Sequence, residues 1–123
     1  MNRLSIGDVA KLADVRASTL RFYESIGLIA PDRRVSGRRY YTPDVLHRLA
    51  LIKLAQRAGF TLAEIGVLFN DFAEDTPASE RWTVLAQQKM PEVEQAIARA
   101  NEMKHVLERM MTCRCDDLSE CVA

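Results

Sequence analysis

Three cysteines fall within nine residues, in the run Cys113-Arg114-Cys115-Asp116-Asp117-Leu118-Ser119-Glu120-Cys121. Thiolate is the ligand form of cysteine, and soft metal ions prefer it. A spacing this short lets one loop wrap a single ion. An odd count excludes a full set of intramolecular disulfides, so clustered thiols in a reducing compartment point to metal or redox chemistry. Two thiolates suit a monovalent ion such as Cu(I). A third, from Cys115, restores Zn(II), Hg(II) or another divalent thiophile, for which two ligands are too few. Asp116, Asp117 and Glu120 could ligate a harder ion but read more simply as a solvated acidic loop. His105 lies eight residues before Cys113, about 12 Å along a helix at roughly 1.5 Å per residue, too far for a local site unless a second subunit supplies it. His47 reads as structural or surface.

The second group with chemical potential is basic. Residues 1–58 carry eleven Lys/Arg and five Asp/Glu, whereas 59–123 hold the remaining six bases and twelve acids. The zero net charge of the 123-residue chain therefore hides a basic half joined to an acidic one. That pattern fits a polyanion-binding module attached to a different module. Arg33-Arg34 and Arg38-Arg39-Tyr40-Tyr41 flank Ser36-Gly37, a hairpin turn signal. Arginine supplies charge to phosphates, and tyrosine a hydroxyl donor on a stiff ring.

The elements that must hold these groups are mostly helical. Ser5 with Asp8 three residues on caps a helix to Ala13, with Ile6, Val9, Ala10 and Leu12 as its apolar face. A second helix over 16–26 stops at Gly27; Leu20, Phe22 and Ile26 make one face, and Arg16, Thr19, Arg21 and Tyr23 the other. Two short helices across a tight turn suggest helix-turn-helix, and the basic hairpin beside them reads as a wing. Pro43 opens a helix to Arg57, and the capping box Thr61-Leu62-Ala63-Glu64 opens another to Phe69. Residues 79–111 carry Met90, Val93, Ile97, Ala100, Met103, Leu107 and Met110 at spacings of three and four. That narrow stripe has little of the chain left to cover it, and a coiled coil with a second copy buries it. Pro91 is expected to kink or split this helix. Trp82 and the methionines read as core. No apolar run approaches a membrane span and no leader opens the chain, which predicts a cytoplasmic protein without membrane partners. No Ser/His/Asp or Cys/His arrangement and no phosphate-binding glycine loop supports an enzyme.

Taken together, Ile6-Gly7-Asp8-Val9-Ala10, Leu20-Arg21-Phe22-Tyr23-Glu24 with Ile26-Gly27-Leu28, Gly37-Arg38-Arg39-Tyr40-Tyr41, and Ala58-Gly59-Phe60-Thr61-Leu62 with Glu64-Ile65 make the chain resemble the MerR family of bacterial transcriptional regulators. The resemblance implies a mainly α fold: a winged helix-turn-helix DNA-binding domain (1–70), a linker (71–78), an antiparallel coiled-coil dimerisation helix (79–111) and an effector-binding tail (112–123). It implies a homodimer on double-stranded promoter DNA with an inverted repeat, distorting that DNA so that RNA polymerase can engage. Arg21, Tyr23, Arg39, Tyr40 and Arg57 match positions that contact DNA, with Arg16, Thr19 and Arg38 beside them. The family commonly has Ser or Thr where this chain has Arg16, and Asp14 could cap the second helix instead. The Cys113–Cys121 spacing is similar to that of copper-efflux members, in which Ser occupies the start of the dimerisation helix. Here that residue is Ser79, which would approach the partner's loop. The series Cys113-x-Cys115-x5-Cys121 also resembles the tail of superoxide-sensing members, which hold a [2Fe–2S] cluster on four Cys; the fourth falls at Met110, and a cluster usually needs four ligands. Two alternatives therefore stand beside a metal-responsive regulator: a redox-sensing regulator of the same family, and, in another class, a metal storage or transfer protein.

Overall fold

The computed structural model of the chain describes residues 3–121. These fall into two compact units, one ending at Leu85 and one beginning at Ala86.

In the first unit, β1 (Leu4–Ser5) leads into α1 (Ile6–Ala13) and α2 (Ala17–Ser25), followed by β2 (Arg33–Val35) and β3 (Arg38–Tyr41). Helices α3 (Asp44–Arg57) and α4 (Leu62–Asn70) come next, and α5 (Ala78–Met111) begins in this unit. The Ser5 hydroxyl accepts from the Asp8 amide at 3.1 Å while the Asp8 carboxylate accepts from the Ser5 amide at 3.0 Å. Thr61 and Glu64 form the same reciprocal cap on α4. Each cap satisfies two helix-end donors that would otherwise lack partners.

Asp14 ends α1 in the left-handed region, at φ 54°, instead of capping α2. Arg16 stands at the N-cap of α2 with no side-chain cap hydrogen bond. The turn between the two helices is fastened from outside: Lys53 Nζ of α3 donates to the carbonyls of Ala13 and Asp14. Likewise Arg48 Nε donates to Leu28 O at 2.6 Å, and its guanidinium lies 3.9 Å above the Phe69 ring. Burial lowers the Arg48 pKa from its ordinary value.

Strand β3 is central in a three-stranded antiparallel sheet of order β1-β3-β2. Ser36 and Gly37 both take positive φ (52° and 79°), as a two-residue hairpin turn of the primed kind requires. The core joins Val9, Leu20, Leu28, Tyr41, Leu49, Ile52 and Ile65, all essentially inaccessible.

Three expectations about packing change. Leu12 is exposed rather than on the core face of α1. On α2, Tyr23 is buried at 8% exposure, while Phe22 and Ile26 are exposed at 51% and 44%. The buried face there is set by Leu20 and Tyr23, three residues apart, so Phe22, next to Tyr23 in sequence, is turned out, and Ile26 stands at the C-cap just beyond the helix. Trp82 does join the core, edge-on to Phe60 with ring centroids 6.4 Å apart, but Met90, Met103, Met110 and Met111 are exposed within one chain, and Met1 lies outside the described residues. The residues between α4 and α5 are closed by one side chain. Arg81 donates to the carbonyls of Leu68, Thr76, Ala73 and Glu74 at 3.1–3.3 Å.

Helix α5 is continuous through Pro91 and is not split there. Proline removes the bond to the carbonyl four residues earlier, that of Gln87; both residues are exposed, so water can serve that carbonyl. A short 3-10 turn, Leu118–Glu120, follows in the tail. Among the described residues no helix is long and apolar enough to cross a membrane.

Candidate DNA-binding face and metal-binding tail

Alternation along the hairpin gives its two faces different surroundings. Arg34 and Arg39 are direct cross-strand partners, as are Arg33 and Tyr40, and Val35 and Arg38. Arg34, Arg39 and Tyr41 share the face turned to α2, where Glu24 receives all three. Its Oε1 accepts from Arg39 Nε at 2.9 Å and Arg34 Nη2 at 3.0 Å, and its Oε2 from the Tyr41 hydroxyl at 2.8 Å. Burial alone would raise the Glu24 pKa; the bonds from Arg39 and Tyr41 and the two guanidinium charges outweigh it and hold the carboxyl below the usual range. Burial, and then the bond to Glu24 and its negative charge, push Tyr41 up to about 12. Hydrogen bonding to Glu24 raises Arg39 further.

Arg21 of α2 and Arg38 and Arg39 of the wing converge on one groove of about 360 Å³, which Ser5, Ile6, Gly7 and Gly37 complete. Arg16, Thr19, Tyr40 and Arg57 lie outside this groove. Tyr23 is a core component, so any contact it makes with a ligand is confined to the small surface it retains. Sequence reasoning placed Arg34 in the basic wing but missed Glu24 as the residue that holds it. The signal available was a lone acid on α2 beside the basic wing.

In the second unit the tail brings the three thiols together. The Sγ atoms of Cys113, Cys115 and Cys121 all lie within 4.8 Å of one another, and those of Cys113 and Cys121 are 3.7 Å apart. The Cys115 amide N–H donates to Cys113 Sγ at 3.4 Å. That bond lowers the Cys113 pKa, whereas hydrogen bonding to the Cys113 and Cys121 sulfurs raises Cys115. All three residues are exposed. Thiolates about 2.3 Å from a common ion sit about 3.8 Å apart in a tetrahedral set and about 4.0 Å apart in a trigonal one, against about 4.6 Å across a linear pair. The Cys113–Cys121 separation is that of a sulfur–sulfur hydrogen bond, which gathers the thiols within the range all of these sets span. Asp116, Asp117 and Glu120 lie outside the cluster. Ser79 is exposed in the first turn of α5, its carbonyl accepting from the Thr83 hydroxyl at 2.8 Å.

Residues 4–71 match the model of the MerR HTH family regulatory proteins, and 46–110 match that of the MerR DNA-binding region. The chain belongs to the MerR family. It is a DNA-binding transcriptional regulator of that family, with a helix-turn-helix and wing followed by a long helix. It is 34% identical over 120 residues to the transcriptional regulator CueR of Escherichia coli, spanning 96% of this chain and 89% of that one. It is 32% identical over 119 residues to a SoxR homolog of Chromobacterium violaceum described as a transcriptional activator, spanning 96% and 80%. Among solved structures, the transcription regulator PbrR691 of Ralstonia metallidurans in complex with lead(II) superposes with a TM-score of 0.77 at 28% identity, covering 95% of this chain and 93% of that one.

Proposed function

We propose that this MerR-family regulator senses a thiophilic metal ion on Cys113, Cys115 and Cys121, and that binding there changes how a homodimer holds promoter DNA. The convergence of all three Sγ atoms within 4.8 Å carries this reading. Three thiolates on a monovalent ion leave two uncompensated negative charges, and on a divalent ion only one. The acidic neighbours Asp116, Asp117 and Glu120 add to the preference for higher positive charge. A soft divalent ion such as Zn(II), Hg(II) or Pb(II) thus suits the full set, and Cu(I) or Ag(I) suits the Cys113–Cys121 pair alone. The relative solved with lead(II) supports a soft ion in this branch. The Cys115 amide N–H bond to its sulfur favours the thiolate of Cys113, and Cys121 and Cys115 complete the site.

On the DNA side, Arg21, Arg38 and Arg39 neutralise phosphates around their common groove, and Arg16, Thr19, Tyr23, Tyr40 and Arg57 extend the contact. Two copies joined along α5 read the halves of an inverted repeat, with Ser79 of one protomer approaching the tail of the other. An ion with different affinity for two arrangements of the dimer then shifts the shape of the bound promoter presented to RNA polymerase.

The test is ion titration of anaerobically purified protein, with a thiol count, for the wild type and three serine variants. Cys113→Ser and Cys121→Ser should keep DNA binding and lose induction. Cys115→Ser should weaken divalent-ion binding by more than the roughly 10–100-fold that loss of an outer-shell partner costs, and bind Cu(I) or Ag(I) with little change. Unchanged ion preference in Cys115→Ser would reduce the site to two thiolates. A normal response in all three variants would remove the tail as sensor. The absorption spectrum of the same sample separates a [2Fe–2S] cluster from a single ion.

A further inference from the structure

We propose that Glu24 is a positioning residue of the DNA-binding face, fixing the wing arginines on α2 so that operator and non-operator DNA are distinguished. The inference rests on the wing reading above and adds a residue that does not itself touch DNA.

The argument begins with the strand register. Arg34 and Arg39 stand directly opposite each other on one face of the hairpin. Like charges at such a cross-strand position destabilise the pair. One carboxylate oxygen, Glu24 Oε1, receives both guanidinium groups, at 3.0 and 2.9 Å. The other oxygen takes the hydroxyl of Tyr41, two residues beyond Arg39 on the same face. Glu24 thus joins both strands of the wing to the helix that precedes them. Its side chain is only 13% exposed, whereas that of Arg34 is 56% exposed, so the carboxylate is shielded while the outer guanidinium meets solvent.

The chemistry of Arg39 makes this more than a structural tie. Glu24 engages Nε, which leaves the two Nη groups at the far edge of the guanidinium to address a phosphate. Arg39 keeps 30% of its side chain exposed and lines the groove shared with Arg21 and Arg38. A guanidinium held on one edge is pre-organised to donate from the other.

There is also an electrostatic cost. A carboxylate beside a phosphate-binding face weakens binding to any polyanion, because affinity for duplex DNA follows the charge neutralised. Glu24 therefore lowers affinity for operator and other DNA alike, and it is the geometry it fixes that widens the gap between them.

The test compares Glu24→Gln, Glu24→Asp and Arg39→Ala on two probes: a duplex selected by the wild-type protein from a random-sequence pool, and poly(dI-dC). Glu24→Gln should bind the selected duplex about tenfold more weakly, bind poly(dI-dC) as well or better, and show a salt slope steeper by about one charge. Glu24→Asp keeps the charge and withdraws the carboxylate. It should lose selected-duplex affinity with no change of salt slope. A merely structural role would lower both affinities together, and that result in Glu24→Asp with helicity intact overturns the proposal. So does an unchanged affinity ratio in both variants. If that unchanged ratio comes with weakened binding in Arg39→Ala, the wing reading survives and only the role of Glu24 fails. If Arg39→Ala itself keeps affinity and salt slope, both fall. Should Glu24→Gln not fold, Glu24→Asp decides alone.

Discussion

Tyr41 is fully buried, yet its hydroxyl reaches a carboxylate, and these two facts act on its ionisation in the same direction. Burial disfavours phenolate and Glu24 repels it, so the folded pKa is pushed up to about 12 from an ordinary value of 10.0. A group whose folded pKa is raised contributes stability that is complete below its unfolded pKa. That contribution is lost as pH rises through the folded value, so the window lies between about 10 and about 12. Tyr41 should titrate late in an ultraviolet phenolate titration, and Tyr41→Phe should abolish that late step. A late step that persists in Tyr41→Phe would assign it to another ring. Glu24 shows the opposite sign. Its lowered pKa means that its contribution holds at neutral pH and is lost only as pH falls below the usual glutamate range, so the advantage of wild type over Glu24→Gln in urea unfolding should vanish in acid. The basic wing was legible from Arg38-Arg39-Tyr40-Tyr41 because charge and turn residues announce it. Glu24 was not, because its role depends on which arginines face each other across the strands, and register is a product of the folded hairpin.

The two capping boxes and the hairpin turn were read correctly from sequence, whereas a split at Pro91 and the buried face of α2 were not. Ser5 with Asp8, Thr61 with Glu64, and Ser36-Gly37 each encode their structure within four residues, and each forms as expected. The face of α2 was misassigned because Tyr23 carries a polar tip but mostly apolar surface, and the core took the ring. Strand β1, of two residues, has no periodicity to read; it exists because β3 offers it an edge. Arg81 carries no local sequence signal, yet it gathers the carbonyl of Leu68 in α4 and those of Ala73, Glu74 and Thr76 between α4 and α5. A guanidinium offers five donors in a fixed planar fork against the three of a compact ammonium, so lysine is a poor substitute where four carbonyls must be reached. Arg81→Ala should cost about 2 kcal/mol, the scale of hydrogen bonds made by a charged group, and Arg81→Lys should recover less than half of it. Thermal unfolding followed by circular dichroism gives both numbers. Full recovery by lysine would show that charge, rather than the fork, holds the segment.

At the scale of the whole molecule, the exposed stripe on α5 demands a partner. Ile97 and Leu107 are 55% and 56% exposed in one chain, and Val93, Met103 and Met110 continue the same line. A helix without tertiary contacts is marginal in water even at a length of fifteen residues, because nucleation is costly and most helical stability comes from packing an apolar face. A second copy supplies that support by burying the stripe. Placing charge in the seam with Ile97→Lys and Leu107→Lys should therefore yield monomers by sedimentation, with reduced helicity and loss of operator binding, since one rigid dimer must span both half-sites. An unchanged dimer would move the interface elsewhere. The same variant separates the two modules. All three sulfurs belong to one tail, and their convergence is local to residues 113–121. The monomer should thus still take up one ion per chain, measured by anaerobic titration with a thiol count. Loss of the ion together with the dimer would mean that the partner completes the site, and would put Ser79 or His105 of the second protomer among the groups to test.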